Sequence, residues 1–416
     1  MKIYTVFNSP NYQTPWQMQG KKNFHGSGCI IEGNRILTNA HVIRDHIFVE
    51  VRRSGQAKKY QARVEAVSHA SDLALLRVDD PLFFKNSYPL TLGELPLLQD
   101  KIAVYGFPDG GDRLSVTEGI VSRVEHVSYA HSNAYLLACQ IDASINTGNS
   151  GGPVIRDGKL VGIAFQGLTA QNFDNIGYMV PTPIITHFLT DLRDGRYDGI
   201  PSLGLSLQKA ENDAMRHFYQ MDHEQTGVLI NKIYPGSPAE GLLFIDDLLT
   251  GINGQDIAND GTLEFRQGER TFFGIVIHEK QRGETIELQV LRGGKNLNIK
   301  LQLSGTIEID RLVPHMLYDK KPRYFIFGGF VFQPLTLNYL KEFSTPADWY
   351  LYAPTELLHL YQNGEPSPDF REATILSEVL ADQSNTGYHE FSDNVIIKAN
   401  GRPIRQFTDL LEALQS

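Results

Sequence analysis

Three short strings contain residue types that could act together. Ser150 sits in Gly148-Asn149-Ser150-Gly151-Gly152-Pro153. A serine flanked by glycines suits a site where backbone must come close to a reacting carbonyl. Gly148 leaves room for its own N–H and that of Ser150 to point at a developing oxyanion. Gly151 and Gly152 let the chain turn away so that Oγ stays accessible. Such a loop carries little weight alone, because glycine-rich loops are common. Its weight comes from two upstream strings. His41 follows Thr38-Asn39-Ala40 at the end of an apolar strand, and Asp72 stands just before the apolar run Leu73–Val78. An aspartate placed there can reach the interior while its backbone stays in a loop. It can then accept the Nδ1 proton of a histidine and fix the tautomer whose Nε2 takes a proton from a serine. That chemistry is acyl transfer, with His41 as base, Asp72 as orienter and Ser150 as nucleophile. Of the 13 histidines, His25, His46, His69, His126 and His131 have no flanking pattern and read as surface or packing residues.

The elements that must carry these side chains are mainly β. Cys29–Ile31 and Arg35–Thr38 read as a hairpin across Glu32-Gly33-Asn34. Further short strands follow, divided by Gly, Pro, Asp or Asn, which argues for a barrel or sandwich. Val154-Ile155 and Leu160–Phe165 form another hairpin around Asp157-Gly158. Thr182–Arg193 is the first clear helix, and residues 194–199 read as a linker. Two segments of about 100 residues follow, each a mixture of strands and helices of ordinary small-domain size. In the first, Arg270–Gln281 reads as a helix. The second repeats the order weakly, with a Tyr- and Pro-rich insertion between Phe332 and Ile375.

Composition bounds the rest. The chain of 416 residues implies two to four domains. Its net charge of −10 argues against a general nucleic-acid binder. Its two cysteines, Cys29 and Cys139, exclude a disulfide scaffold and read as buried thiols, with one bridge as the alternative. No run approaches the ~20 apolar residues that span a bilayer. The first residues lack the pattern of a secretory signal, which leaves the compartment undecided between a chain whose signal was removed and a cytoplasmic or organellar one. Neither metal-ligand spacings nor a phosphate-binding loop is present, so no metal and no cofactor is expected.

The three strings, in this order, resemble the HtrA/Deg branch of the chymotrypsin-like serine peptidases. The resemblance runs from Phe24 to about Ala413 and is closest to the plant-type Deg enzymes, through Ile257-Ala258-Asn259-Asp260-Gly261-Thr262. It implies a mainly β chain: a chymotrypsin-like double β-barrel over 1–196, a PDZ-like domain over 197–304, and a second over 305–416. It implies catalytic roles for His41, Asp72 and Ser150, and oxyanion N–H groups from Gly148 and Ser150. The primary pocket is expected beside Ser150, walled by Ser144–Asn146 and Asn175–Val180. No acid stands at its base, Asp142 being structural. Ser144, Ile145, Ile176, Tyr178 and Met179 suggest small or medium aliphatic side chains. In the first PDZ-like domain Leu203, Gly204, Leu205 and Ser206 occupy the place of the carboxylate-binding loop, and the strand from Leu205 would take a C-terminal peptide as an extra strand. In the second, Phe327–Val331 stands at the corresponding place, and the closing strands that the first possesses are expected to be missing, either because the chain is cut short or because another subunit or segment covers that edge. The resemblance implies an ATP-independent endopeptidase of protein quality control acting on unfolded polypeptides. It also implies a homo-oligomer built from trimers. A PDZ-based chaperone or scaffold with proteolysis secondary or switched off is the alternative. The N-terminal aromatics Tyr4, Phe7, Tyr12 and Trp16 are expected either at a subunit contact or on their own barrel.

Overall fold

Short alternating runs pair locally, because the turns between them hold residues that tolerate left-handed backbone. The structure is a computed structural model describing residues 1–108, 111–168, 176–308, 311–345 and 348–415. The strands β1 (Lys2–Phe7), β2 (Lys22–Ser27), β3 (Cys29–Ile31) and β4 (Arg35–Thr38) are followed by the single helical turn α1 (Ala40–Ile43). Then come β5 (His46–Arg52), β6 (Lys59–Ser68) and β7 (Leu73–Arg77). These seven strands form one sheet in the order β2-β1-β5-β6-β7-β4-β3. The expected hairpin is β3–β4, with Gly33 at φ 79° and Asn34 at φ 54°.

A closed six-stranded barrel follows. It contains β8 (Lys101–Gly106), β9 (Ser115–Ser128), β10 (Tyr135–Ile141), β11 (Pro153–Arg156), β12 (Lys159–Leu168) and β13 (Ile176–Pro181). Its interior is filled by Val104, Val121, Leu137, Cys139, Val154, Ile163 and Met179, all buried. Both cysteines are free and buried, and burial pushes the Cys29 thiol up to about 12. Helix α2 (Thr182–Asp191) ends the barrel, and Gly195 at φ 86° caps the turn after it.

The next module is a sheet ordered β14 (Leu205–Lys209), β15 (Val228–Ile233), β16 (Leu248–Ile252), then the hairpin of Thr285–Arg292 and Lys295–Gln302. The expected helix over Arg270–Gln281 is a correction. Glu269–Phe272 is a strand paired with Thr262–Arg266, and the helix is the short Ile275–His278. Cross-strand partners for Thr271 and Phe272 outweigh their apolar spacing, and Gly274 interrupts the run. This module shares one apolar core with the barrel.

The chain divides into two compact units, residues 1–6, 23–43 and 48–309, and residues 7–22, 44–47 and 310–416. In the second unit, Phe325–Phe327 and Phe330–Pro334 form a hairpin across Gly328-Gly329, and the second of these strands also pairs Thr374–Val379. The insertion folds into short helices around Leu335, Tyr339, Leu357 and Ile375. Tyr12 is buried in that same core, and its carbonyl accepts a hydrogen bond from Gln333 Nε2 at 2.9 Å. Trp16 lies edge-on to Tyr324. The N-terminal aromatics therefore separate: Tyr4 stays with the first unit, under Lys59, whereas Tyr12 and Trp16 belong to the second.

Candidate active site

His41 is carried on α1, directly after β4, and Asp72 is the residue before β7. β4 and β7 are neighbours in the sheet, with Thr38 opposite Ala74, so their ends bring the two side chains together. His41 Nδ1 lies 2.7 Å from Asp72 Oδ2, and the His41 backbone N–H donates to Oδ1 at 2.9 Å. Asp72 adopts φ 53°, a left-handed conformation that aspartate tolerates better than most residues. Asn39 Nδ2 fixes the local backbone by donating to the Asp72 carbonyl at 2.8 Å. Asp72 is 1% exposed. Burial alone would raise its pKa, but the His41 charge and hydrogen bonds, with His131 beyond them, more than offset this and hold the carboxyl below its usual range.

Ser150 lies in the loop from β10 to β11, in the barrel. Gly148 has φ 95° and Gly151 φ 82°, both in the region that favours glycine. A Cβ on Gly151 would stand 2.2 Å from both the Ser27 carbonyl and Thr38 Oγ1. The chain beside Ser150 thus packs directly onto the end of the strand that carries His41. Among the described residues, no hydrogen bond joins Ser150 Oγ to His41 Nε2. Apo hydrogen bonds of this kind are often long.

Of the residues expected in a pocket beside Ser150, Tyr178 and Met179 face different ways. Ile145 packs over Gly177, where a Cβ would come 2.7 Å from its Cδ1. The Ser144 carbonyl accepts from Thr117 Oγ1 at 3.4 Å, and Ile176 opens β13. Tyr178 and Met179 are successive strand residues and point to opposite faces. Met179 is enclosed in the barrel opposite Cys139, while Tyr178 lies opposite Gln140 and reaches Glu125. Asn175 lies outside the described residues. Asp142 is tied to the scaffold, accepting the Ile120 N–H at 2.6 Å.

In the module after the barrel, β14 is the edge strand of its sheet. Leu203 is buried, Gly204 takes φ 67°, and Leu205 and Ser206 are half-buried on β14. The Gly204 N–H already donates to Ser202 Oγ at 3.1 Å, so a carboxylate arriving there must displace that contact.

Two features escape the sequence reading. His69 Nδ1 and His131 Nε2 lie 2.9 Å apart, and the His131 ring is 6.1 Å from the His41 ring. Ser27, buried at the end of β2, bonds to the Ser150 loop through its N–H and its hydroxyl. A signal for Ser27 was present: it stands directly between two glycines, Gly26 and Gly28. Among the described residues, no group of three or more His, Cys, Asp or Glu side chains could hold a metal ion.

Comparison with known proteins agrees with this layout. Residues 26–163 match the family described as trypsin-like peptidase domain, and residues 201–303 and 313–416 each match a PDZ domain family. Protease Do-like 4, mitochondrial, of Arabidopsis thaliana is 42% identical over 417 residues, covering 100% of this chain and 76% of that protein. Protease Do-like 2, chloroplastic, of the same plant is 38% identical over 415 residues, covering 99% and 66%. Among solved structures, the HtrA-type protease AlgW with decapeptide superposes with a TM-score of 0.55 at 24% identity, covering 72% of this chain and 93% of that one. At that identity the likeness speaks for the fold.

Proposed function

The chain belongs to the Deg/HtrA family of serine endopeptidases, a trypsin-like domain joined to two PDZ domains, and from that premise we propose that His41, Asp72 and Ser150 perform its chemistry. The observation that carries this reading is the double clasp of His41 by Asp72, ring nitrogen to Oδ2 and backbone N–H to Oδ1. It sets the imidazole so that Nδ1 carries the proton and Nε2 is left as base. Nε2 takes the Ser150 proton as Oγ attacks the scissile carbonyl, and the buried Asp72 carboxylate stabilises the imidazolium. The N–H groups of Gly148 and Ser150 receive the oxyanion. The imidazolium then protonates the leaving amine, and water hydrolyses the acyl-enzyme by the same base. This chemistry asks for neither ATP nor a metal.

The substrates proposed are unfolded polypeptides, cut after small or medium aliphatic residues in a pocket that includes Ser144, Ile145 and Ile176. The first PDZ domain takes C-terminal peptides along β14, at Leu203, Gly204, Leu205 and Ser206, and the working form is a trimer or a multiple of it. Cleavage of casein by the wild type and its loss in Ser150→Ala tests the assignment, and a peptide-library profile dominated by Lys or Arg would refute the aliphatic pocket. The second reading is a PDZ-based chaperone with proteolysis held off. Binding of unfolded casein without cleavage would support it.

A further inference from the structure

We propose that Ser27 is a positioning residue for the reaction: its hydroxyl registers the nucleophile loop of the barrel against the sheet that carries His41 and Asp72. The inference rests on the assignment of Ser150 as nucleophile.

Ser27 is 1% exposed, and each of its polar groups is engaged. Its N–H donates to the Ser150 carbonyl at 2.8 Å. Its hydroxyl donates to the Gly148 carbonyl at 2.7 Å. The same oxygen accepts the Phe107 N–H at 2.9 Å, at the end of β8. Its carbonyl accepts from Thr38 Oγ1 at 2.7 Å, at the end of β4.

The direction of the hydroxyl proton follows from these partners. A backbone N–H can only donate and a carbonyl can only accept. Phe107 therefore takes a lone pair of Oγ, and the one proton is left for Gly148. The hydroxyl has a single arrangement that satisfies both neighbours, so it holds the loop rather than merely touching it.

Ser27 reaches both sides of the nucleophile, at the carbonyls of residues 148 and 150. From the other side, its own carbonyl and Thr38 Oγ1 occupy the space that a side chain at 151 would need. Thr38 leads through Asn39, which bonds the Asp72 carbonyl, to His41. A continuous series of bonds thus runs from the Asp72 backbone through the end of β4 to Ser27, and from Ser27 to Gly148 and Ser150. The two halves of the site lie in different sheets, and Ser27 joins them. The hydroxyl touches no reacting atom. Its part is to keep the Ser150 Oγ and the Gly148 N–H where the His41 base and the oxyanion need them, and displacement of about 1 Å in such groups can cost on the order of a hundredfold in rate.

The test uses the full chain and fluorescein-labelled casein. Wild type, Ser27→Ala and Ser27→Thr are compared for kcat, KM and melting temperature. A core variant, Val104→Ala, serves as the structural control, since Val104 is buried in the same barrel. Ser27→Ala is expected to lower kcat about tenfold to a hundredfold while KM stays within about threefold. Ser27→Thr, which keeps the hydroxyl, recovers most of kcat. Val104→Ala loses melting temperature but keeps kcat. Should Ser27→Ala not fold, the near-isosteric Ser27→Cys, a much weaker donor, takes its place with the same expected loss. A kcat in Ser27→Ala or Ser27→Cys equal to wild type overturns the proposal, as does a loss no larger than that of a core variant with equal melting temperature. Failure of the underlying assignment looks different: Ser150→Ala would then cleave casein as wild type does.

Discussion

At the residue scale, the proposed chemistry depends on a carboxylate that stays charged while buried. Asp72 achieves this because His41 offers it two donors. Asp72→Asn keeps the shape but removes the charge and admits the wrong imidazole tautomer, so kcat is expected to fall on the order of 10⁴-fold with little change in KM. Steady-state kinetics on casein checks this, and a loss below tenfold would detach Asp72 from the reaction. Gly151 makes a second prediction. Its φ of 82° and the 2.2 Å approach of Ser27 O and Thr38 Oγ1 leave no place for a methyl group. Gly151→Ala is expected to abolish casein cleavage and to cost about 1–3 kcal/mol of stability in a urea titration. The residue scale is also where the sequence is most and least legible. His41, Asp72 and Ser150 each sit in a local string, so each can be read from its immediate neighbours. For Ser27 the flanking glycines mark a close approach but not its partners, because those of its hydroxyl and carbonyl lie 121, 80 and 11 residues away. His131 and His69 are likewise 62 residues apart and meet only through the fold.

At the element scale, the two PDZ-like sheets present different edges. β14 is an edge strand with one neighbour, so its other side can accept an added strand. The corresponding strand of the second module, Phe330–Pro334, is paired on both sides, by Phe325–Phe327 and Thr374–Val379. A peptide with an apolar C-terminus is therefore expected to bind with a stoichiometry of one per chain in calorimetric titration. Gly204→Val weakens it at least about tenfold, since Gly204 has φ 67° and a Cβ there would stand 2.2 Å from Ser237 Cβ. Two sites per chain, or indifference to Gly204→Val, would contradict this. Hairpins such as β3–β4 were legible because Gly and Asn mark their turns. The strand at Glu269–Phe272 was not, because its apolar spacing suits a helix equally well and only the partner strand decides.

At the scale of the whole molecule, the junction between the barrel and the module after it is lined by histidines. His126 on β9 donates to or accepts from Thr271 Oγ1 at 2.9 Å, and its ring lies 5.6 Å from that of His278. His187 on α2 bonds the Lys280 carbonyl at 2.9 Å. Burial pushes His126 and His278 down to about 3, with His126 and His187 adding to the effect on His278. Burial also lowers His187, partly offset by Asp191, the Lys280 carbonyl and Glu284. These folded-state values lie below that of the unfolded chain, about 6.5. The stability tied to neutral imidazoles is therefore complete above pH 6.5 and is lost as pH falls from there toward 3. His126 and His278 are each expected to remove about 2 kcal/mol between pH 7 and pH 5. Calorimetric melting over that range checks this: His278→Leu should flatten the decline, and an unchanged slope would contradict the linkage. Contiguous domain boundaries were only partly legible, since the packing of Tyr12 with Leu335 and Leu357 has no local signature.

The claim that Ser150 is the nucleophile is tested most directly by a fluorophosphonate that phosphorylates activated serines, with the adduct located by peptide mass spectrometry while casein cleavage is followed. The expected result is one adduct per chain, on Ser150, formed in step with the loss of cleavage, and neither adduct nor cleavage in Ser150→Ala. Inhibition with the adduct on another residue, or casein cleavage by Ser150→Ala at the wild-type rate, would contradict it.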